Sequence, residues 1–88
     1  MRAHFVYVVR CADGSLYTGY ALDPVARAAV HNSGKGAHYT ASRRPVALIY
    51  VEGFAEKSDA LKREHELKRL RRAAKEAVVA AQPRKNMK

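Results

Sequence analysis

The chain has 88 residues and a formal charge of +9, with 17 Lys and Arg against 8 Asp and Glu, and this length allows one domain with one modest core. Such a charge attracts polyanions, chiefly nucleic acid, although it can also serve solubility alone. The single Cys11 excludes an intramolecular disulfide. We expect no membrane span and no signal peptide, and therefore a cytoplasmic protein without a membrane partner.

Three strands and three helices are predicted in the order ββαβαα, which makes an α+β domain. Residues 4–10 are β-branched and aromatic and favour an internal strand, with residues 15–20 as its antiparallel partner. Asp23-Pro24 favours the start of a helix that runs to about Asn32, with Gly34 as its C-terminal stop. The remaining predicted segments are a loop over 33–44, a strand over 46–51, a helix capped by Ser58-Asp59 and ending near 70, a helix over 72–80, and a disordered basic tail over 81–88.

The turn between the first two strands decides whether Tyr7 and Tyr17 share a face of the sheet. A two-residue turn at Asp13-Gly14 would place Tyr17 opposite Arg10, pointing away from Tyr7. A three-residue loop with Gly14 in a left-handed conformation would pair Tyr17 with Cys11, on the face of Tyr7. A shared site requires the three-residue loop, and two unrelated packing tyrosines are the alternative.

Arg27 and His31 are four residues apart on the first predicted helix and therefore project side by side. They are either two solvated side chains or parts of a site. Their neighbours Ala26, Ala28 and Val30 are small or apolar, which is unusual for a simply charged helix face.

Glu64 is predicted to lie on the apolar stripe of the second helix. Its neighbours one turn away are Ala60, Leu61 and Leu67. A carboxylate in such surroundings requires a partner, which is either an ion pair with Arg27 or Lys68 or a hard divalent cation such as Mg²⁺ or Mn²⁺. The scattered histidines do not have the spacing of a zinc site.

The loop before the third strand combines positive charge with one aromatic ring, which suits a phosphate backbone and one unstacked base. A solvated mobile loop is the alternative. The candidate nucleic-acid contacts are Lys35, His38, Tyr39, Thr40, Arg43, Arg44 and, on the second helix, Lys68.

Two tyrosine triplets resemble the paired motifs of the GIY-YIG nuclease family: Phe5-Val6-Tyr7 and Tyr17-Thr18-Gly19. The runs over 31–37 and 44–46 look like the small stand-alone bacterial branch, which is related to the catalytic subunit of the structure-specific flap endonuclease. The resemblance covers about residues 4–80, so that residues 1–80 would form one GIY-YIG-like domain. Phe5 replaces the first glycine of the motif, and Tyr20 and Ala21 also depart from the larger members.

The resemblance implies a three-stranded antiparallel sheet flanked by helices and a catalytic site containing five residues of this chain. Tyr7 would act as general base or orient the attacking water, with Tyr17 beside it, and His31 would form a hydrogen bond within the site. Arg27 would neutralise the scissile phosphate, and Glu64 would hold a single Mg²⁺ or Mn²⁺ ion.

The function that this resemblance implies is a metal-dependent DNA endonuclease in DNA repair or processing, directed by DNA structure rather than sequence. Branched or single-stranded DNA is the expected partner. A protein partner for targeting is also expected, because no second DNA-binding domain is present in this sequence, and a monomer is favoured. The alternatives are a non-catalytic nucleic-acid-binding module on the same fold and a small basic interaction protein.

Overall fold

A computed structural model describes residues 2–82. The elements in chain order are β1 (His4–Arg10), β2 (Leu16–Ala21), α1 (Pro24–Asn32), α2 (His38–Ala41), β3 (Ala47–Phe54), α3 (Lys57–Lys68) and α4 (Arg72–Ala80). The three strands form one antiparallel sheet in the order β2-β1-β3, which confirms the predicted α+β fold. No helix within residues 2–82 is both long enough and apolar enough to cross a membrane.

Strand β2 is shifted by one residue from the predicted 15–20, and β3 continues to Phe54 instead of ending at 51. Three further segments differ from the prediction. The predicted loop over 33–44 contains the four-residue helix α2, which is too short to show a helical period in the sequence. Helix α3 begins at Lys57 after an N-cap at Glu56, so the predicted Ser58-Asp59 cap is wrong. Gln82 of the predicted tail donates a hydrogen bond to the Val51 carbonyl, while residues 83–88 lie outside the described residues.

The hairpin has the three-residue loop that a shared tyrosine site requires. The Cys11 amide donates to the Ser15 carbonyl at 2.8 Å, and the Gly14 amide donates to the Cys11 carbonyl at 2.9 Å. Gly14 has a φ of 86°, in the left-handed region that favours glycine. Residues 12–14 therefore form the three-residue loop, and Gly14 is its left-handed residue.

The register places Tyr17 opposite Val9, not opposite Cys11 as predicted. Val9 is two residues from Tyr7, and side chains two apart on a strand share a face. Tyr7 and Tyr17 therefore project from the same face of the sheet. The predicted pairing partner was wrong by two residues, but the predicted face was right because Val9 and Cys11 both lie on it.

Helices cover both faces of the sheet. On one face α3 and α4 pack against Val6, Val8 and Tyr50, with Ala60 and Leu67 fully buried between them. Each of the buried valines and Leu67 contributes about 1.5–3 kcal/mol of hydrophobic stabilisation. The opposite face carries Tyr7, Val9, Cys11, Ala21 and Val46. Helices α1 and α2 lie over this second face, through the contacts described below.

Candidate active site

Tyr7 lies on the central strand, and its ring crosses the edge strand β2 above Gly19. The two residues are directly paired, and Tyr7 is only 1% exposed. A β-carbon at Gly19 would lie 2.5 Å from Cζ of Tyr7, which is closer than non-bonded carbon atoms approach. The absence of a side chain at position 19 therefore gives the phenol its place.

A buried chain of hydrogen bonds connects Tyr7 to the segment between α1 and α2. The Tyr7 hydroxyl is 2.7 Å from Nε2 of His31, and Nδ1 of His31 is 2.7 Å from the Thr40 hydroxyl oxygen. Thr40 in turn donates to the Ala37 carbonyl at 3.0 Å. Tyr7, His31 and Thr40 are each at most 2% exposed. Strand β1 and helices α1 and α2 thus meet at one imidazole ring.

Burial keeps both Tyr7 and His31 neutral at pH 7. Burial, and to a smaller extent the charges of Tyr17 and Glu64, raise the pKa of Tyr7 to about 12, although Arg27 acts in the opposite direction. Burial and then the positive charge of Arg27 lower the pKa of His31 from its ordinary value of 6.5. A neutral phenol therefore faces a neutral imidazole, which can accept a proton.

Arg27 and His31 both line one cleft, as their spacing predicted. The cleft has a volume of about 320 Å³, and its other lining residues are Tyr7, Tyr17, Val30, Lys35, Gly36 and Ala37. Arg27 and Lys35 are exposed at its surface, whereas the two buried groups Tyr7 and His31 lie at its floor. A larger cleft of about 780 Å³ lies beside β3 and α4 and contains none of the predicted site residues.

Tyr17 connects the buried histidine to a stack of side chains on the surface. Its ring meets the His31 ring edge-on at 5.2 Å and stacks on Tyr39 at 6.0 Å between ring centres. On Tyr39 lies the Arg43 guanidinium, 3.9 Å from the ring centre, and Arg43 also donates to the Asp13 carboxylate at 3.2 Å. Tyr39 was predicted to stack on a base, but Tyr17 and Arg43 already contact its ring.

The other predicted nucleic-acid contacts differ in how far they are exposed to solvent. His38 and Arg44 are exposed, and Arg44 also donates to the Ala41 carbonyl at 2.8 Å. Lys68 is half-exposed on α3. Thr40 is completely buried, which leaves its side chain no surface for nucleic acid, contrary to expectation. Its partner is His31, and its role is therefore inside the site.

Glu64 forms an ion pair with Lys68, one of the two partners that the sequence allowed. The carboxylate is 3.1 Å from the Lys68 ammonium, and the Glu64 side chain is 18% exposed. The apolar stripe is narrower than predicted, because Leu61 is 41% exposed while Ala60 and Leu67 are buried. Glu64 is not among the residues that line the cleft of Tyr7 and His31.

The side chains available as metal ligands limit how a metal ion could bind. Within residues 2–82, no group of three or more His, Cys, Asp or Glu side chains could together hold a metal ion. A single partly exposed carboxylate fits Mg²⁺ or Mn²⁺, because these ions keep several waters and bind substrate phosphates alongside one or two protein carboxylates.

Asn32 and Gly36 support the site and were not predicted. Asn32 donates to the Val46 carbonyl at 3.0 Å and accepts from the Val46 amide at 2.7 Å, which fixes the end of α1 against the chain entering β3. A β-carbon at Gly36 would lie 2.8 Å from Cα of His31. Both contacts depend on the tertiary path of the chain, so the pattern of residues over 31–37 did not reveal them.

Comparisons with known proteins agree with this geometry. The family model described as the GIY-YIG catalytic domain matches residues 3–77. A UPF0213 protein of Staphylococcus epidermidis is 60% identical over 75 residues, which are 85% of this chain and 92% of that protein. A UPF0213 protein of Staphylococcus aureus is 59% identical over the same shares.

Two solved structures have the same fold. The solution structure of a UPF0213 protein from Bacillus halodurans is 44% identical, with a TM-score of 0.61 over 90% of this chain and 84% of that one. The solution structure of a protein from E. faecalis is 42% identical, with a TM-score of 0.57 over 89% and 88% of the two chains. Because the family match spans most of the chain and the relatives share its length, this protein belongs to the GIY-YIG nuclease family.

Proposed function

We propose that the protein is a metal-dependent DNA endonuclease that hydrolyses phosphodiester bonds and is directed by DNA structure, in DNA repair or processing. The observation that carries the proposal is the hydrogen bond between two neutral groups, Tyr7 and His31, at the floor of a cleft that two exposed cations border. Membership of the GIY-YIG nuclease family supports the same reaction class.

The buried pair offers a path for the proton of the attacking water. With a pKa of about 12, Tyr7 is a phenol at neutral pH and can accept a proton only as its own proton leaves. Nε2 of His31, 2.7 Å away, is placed to take it. The water oxygen then bonds to phosphorus, one ester P–O bond breaks, and the leaving oxygen and the imidazolium exchange protons with solvent.

Positive charge is needed where the phosphate gains negative charge. Arg27 lines the cleft beside Tyr7, and its guanidinium suits a phosphate because it can donate two parallel hydrogen bonds. Glu64 would hold Mg²⁺ or Mn²⁺, and such an ion when bound supplies further charge neutralisation at the phosphate. Neutralising Glu64 also removes one of the influences that raise the pKa of Tyr7.

The positive charge of the protein and the small size of its domain indicate the class of substrate. A charge of +9 attracts any nucleic acid through its phosphates and carries no sequence information by itself. Arg27 and Lys35, the exposed cations that line the cleft, suit contacts to phosphates, which carry no sequence information. We therefore propose recognition of branched or single-stranded DNA, with a protein partner for targeting.

Cleavage of labelled single-stranded, duplex and branched DNA tests this function. The assays contain Mg²⁺ or Mn²⁺ and compare the wild type with Tyr7→Phe and Glu64→Gln. We expect the Tyr7 variant to lose about 10²–10⁴-fold in rate, which is the usual contribution of a general acid or base. The matched controls are Tyr20→Phe, a phenol from the opposite face of the sheet, and Glu66→Gln, an exposed carboxylate on the same helix.

The outcomes separate the enzyme from a binding module. Cutting that disappears in the Tyr7 and Glu64 variants but persists in both controls supports the endonuclease. Salt-sensitive binding without cutting, indifferent to Mg²⁺ and to Glu64, would contradict it and identify a non-catalytic nucleic-acid-binding module. Absence of nucleic-acid affinity at moderate salt would leave a small basic interaction protein.

A further inference from the structure

We propose that Thr40 is a positioning residue that holds His31 in the tautomer with its proton on Nδ1, so that the lone pair of Nε2 faces the Tyr7 hydroxyl. The structural part of this inference stands by itself. Its consequence for catalysis rests on the proposed endonuclease function.

Counting protons along the hydrogen-bond chain gives the direction of each bond. The Thr40 hydroxyl has one proton, and its bond to the Ala37 carbonyl uses that proton, because a carbonyl oxygen can only accept. The Thr40 oxygen must then accept from Nδ1–H of His31 at 2.7 Å. Nε2 is left without a proton and accepts from Tyr7 at 2.7 Å.

The opposite tautomer is less well satisfied. It would need the Thr40 hydroxyl to turn away from the Ala37 carbonyl and donate to Nδ1. The Ala37 amide would then donate to that nitrogen from 3.4 Å, near the limit of a hydrogen bond, and the 3.0 Å bond from Thr40 to the Ala37 carbonyl would be lost. Either tautomer can form the two 2.7 Å bonds, but only the one with the proton on Nδ1 also keeps the bond from Thr40 to the Ala37 carbonyl.

The surrounding chain holds the Thr40 hydroxyl against the imidazole of His31. Thr40 lies on the single-turn helix α2 and is 0% exposed, so water cannot replace its hydroxyl as the partner of Nδ1. The absence of a side chain at Gly36 lets the preceding loop pack directly against His31. In histidine, the hydrogen bond made by one ring nitrogen determines which nitrogen carries the proton.

The tautomer matters because only one of the two lets the phenol release its proton. With the proton on Nε2, His31 would donate to the Tyr7 oxygen, and Tyr7 would have no base within hydrogen-bonding distance among the residues described. Thr40 would then act through His31 without touching the substrate. Holding Thr40 in this position would be a function of α2, the helix that the sequence did not predict.

Nitrogen-15 NMR of the imidazole rings tests the tautomer directly, in the absence of substrate. We compare the wild type with Thr40→Val, which keeps the shape but lacks the hydroxyl, and with Thr40→Ser, which keeps the hydroxyl. Long-range proton–nitrogen spectra at pH 8 distinguish a protonated from an unprotonated ring nitrogen, and a His31→Gln variant identifies the signals of His31 among the four histidines.

We expect Nδ1 to be protonated in the wild type and in Thr40→Ser, and the Nε2–H tautomer to gain population in Thr40→Val. An Nε2–H tautomer in the wild type would overturn the proposal, even if the valine variant did not fold. An unchanged Nδ1–H tautomer in a folded Thr40→Val protein would also overturn it.

Cleavage rates of the same Thr40 variants test whether the tautomer of His31 affects catalysis. We expect Thr40→Val to lose about 10²–10⁴-fold in rate and Thr40→Ser to restore most of it, because the relay loses its acceptor only in the valine variant. Full cleavage by a valine variant with the altered tautomer would contradict the catalytic part of the proposal. If the wild type cuts no DNA, the endonuclease function fails while the spectra still decide the role of Thr40.

Discussion

The Tyr7 ring occupies the space that a side chain at Gly19 would need: a β-carbon there would lie 2.5 Å from Cζ of Tyr7. Gly19 is directly opposite Tyr7 on the edge strand, so its missing side chain opens a path across that strand. The phenol follows this path to the bond with His31. The glycine of the second tyrosine triplet thus serves the tyrosine of the first.

Replacing Gly19 with Ala should displace the phenol. We expect a loss of stability of about 1–3 kcal/mol from overpacking, and a fall in cleavage rate of about 10²-fold because the reacting group moves by about 1 Å. Urea unfolding and single-turnover cleavage measure the two effects. The control is Gly53→Ala on β3, where the atom nearest to the new β-carbon, Cε1 of Phe5, would lie 3.0 Å away. Unchanged cleavage in Gly19→Ala would contradict this role.

Cleavage should fall on the acid side of neutrality, because His31 must be neutral to accept a proton. Burial lowers the pKa of His31 below 6.5, so the rate should hold as the pH falls to that value and decrease below it. The folded state is also destabilised below pH 6.5, since the unfolded chain binds this proton more readily. Single-turnover rates and urea unfolding across pH 5–8 test both statements, with His65→Gln, an exposed histidine on α3, as the control.

The stack of Arg43 on Tyr39 suggests that Arg43 orients Tyr17 rather than binding phosphate. Arg43→Lys keeps the charge but loses the planar group on the ring and the hydrogen bond to Asp13. We expect it to lower the cleavage rate several-fold and to leave the salt dependence of DNA binding unchanged.

Lys35→Met is the contrasting variant, because Lys35 is exposed and lines the cleft. We expect the slope of log affinity against log salt to decrease in magnitude by about 0.7–0.9, the value for one lost phosphate contact. If Arg43→Lys preserves the rate while Arg43→Leu reduces the salt slope, then Arg43 is a phosphate ligand and its positioning role is excluded.

Acid should weaken the attachment of α4 to the sheet. Two hydrogen bonds from Arg10, at 2.8 and 2.9 Å, lower the pKa of Glu76 from its usual 4.5 to about 2. Because the pKa of Glu76 is lower in the folded state than in the unfolded state, the ionised carboxylate stabilises the protein above pH 4.5. This stabilisation is lost as the pH falls from 4.5 to about 2. Thermal melts of the wild type and Glu76→Gln should therefore converge over that range, and a constant difference would contradict the assignment.

The elements that local chemistry controls were predictable. β1 and the bounds of α1 and α4 agree with the prediction, because strand propensity, the Asp23 cap and helical periodicity act over a few neighbouring residues. Asp23 accepts from the Ala26 amide as an N-cap should. The hairpin loop was identified as the condition for a shared face, although its exact register was not.

The sequence by itself determined the fold class, the family and the pairing of Arg27 with His31 along one helix face, because all of these depend on local patterns and short motifs. Only the tertiary structure decided that Thr40 is the buried partner of His31, that Gly19 makes room for Tyr7, and that Tyr39 is already stacked. These contacts join residues from different elements, and their strength comes from distances and burial that exist only after the chain has folded.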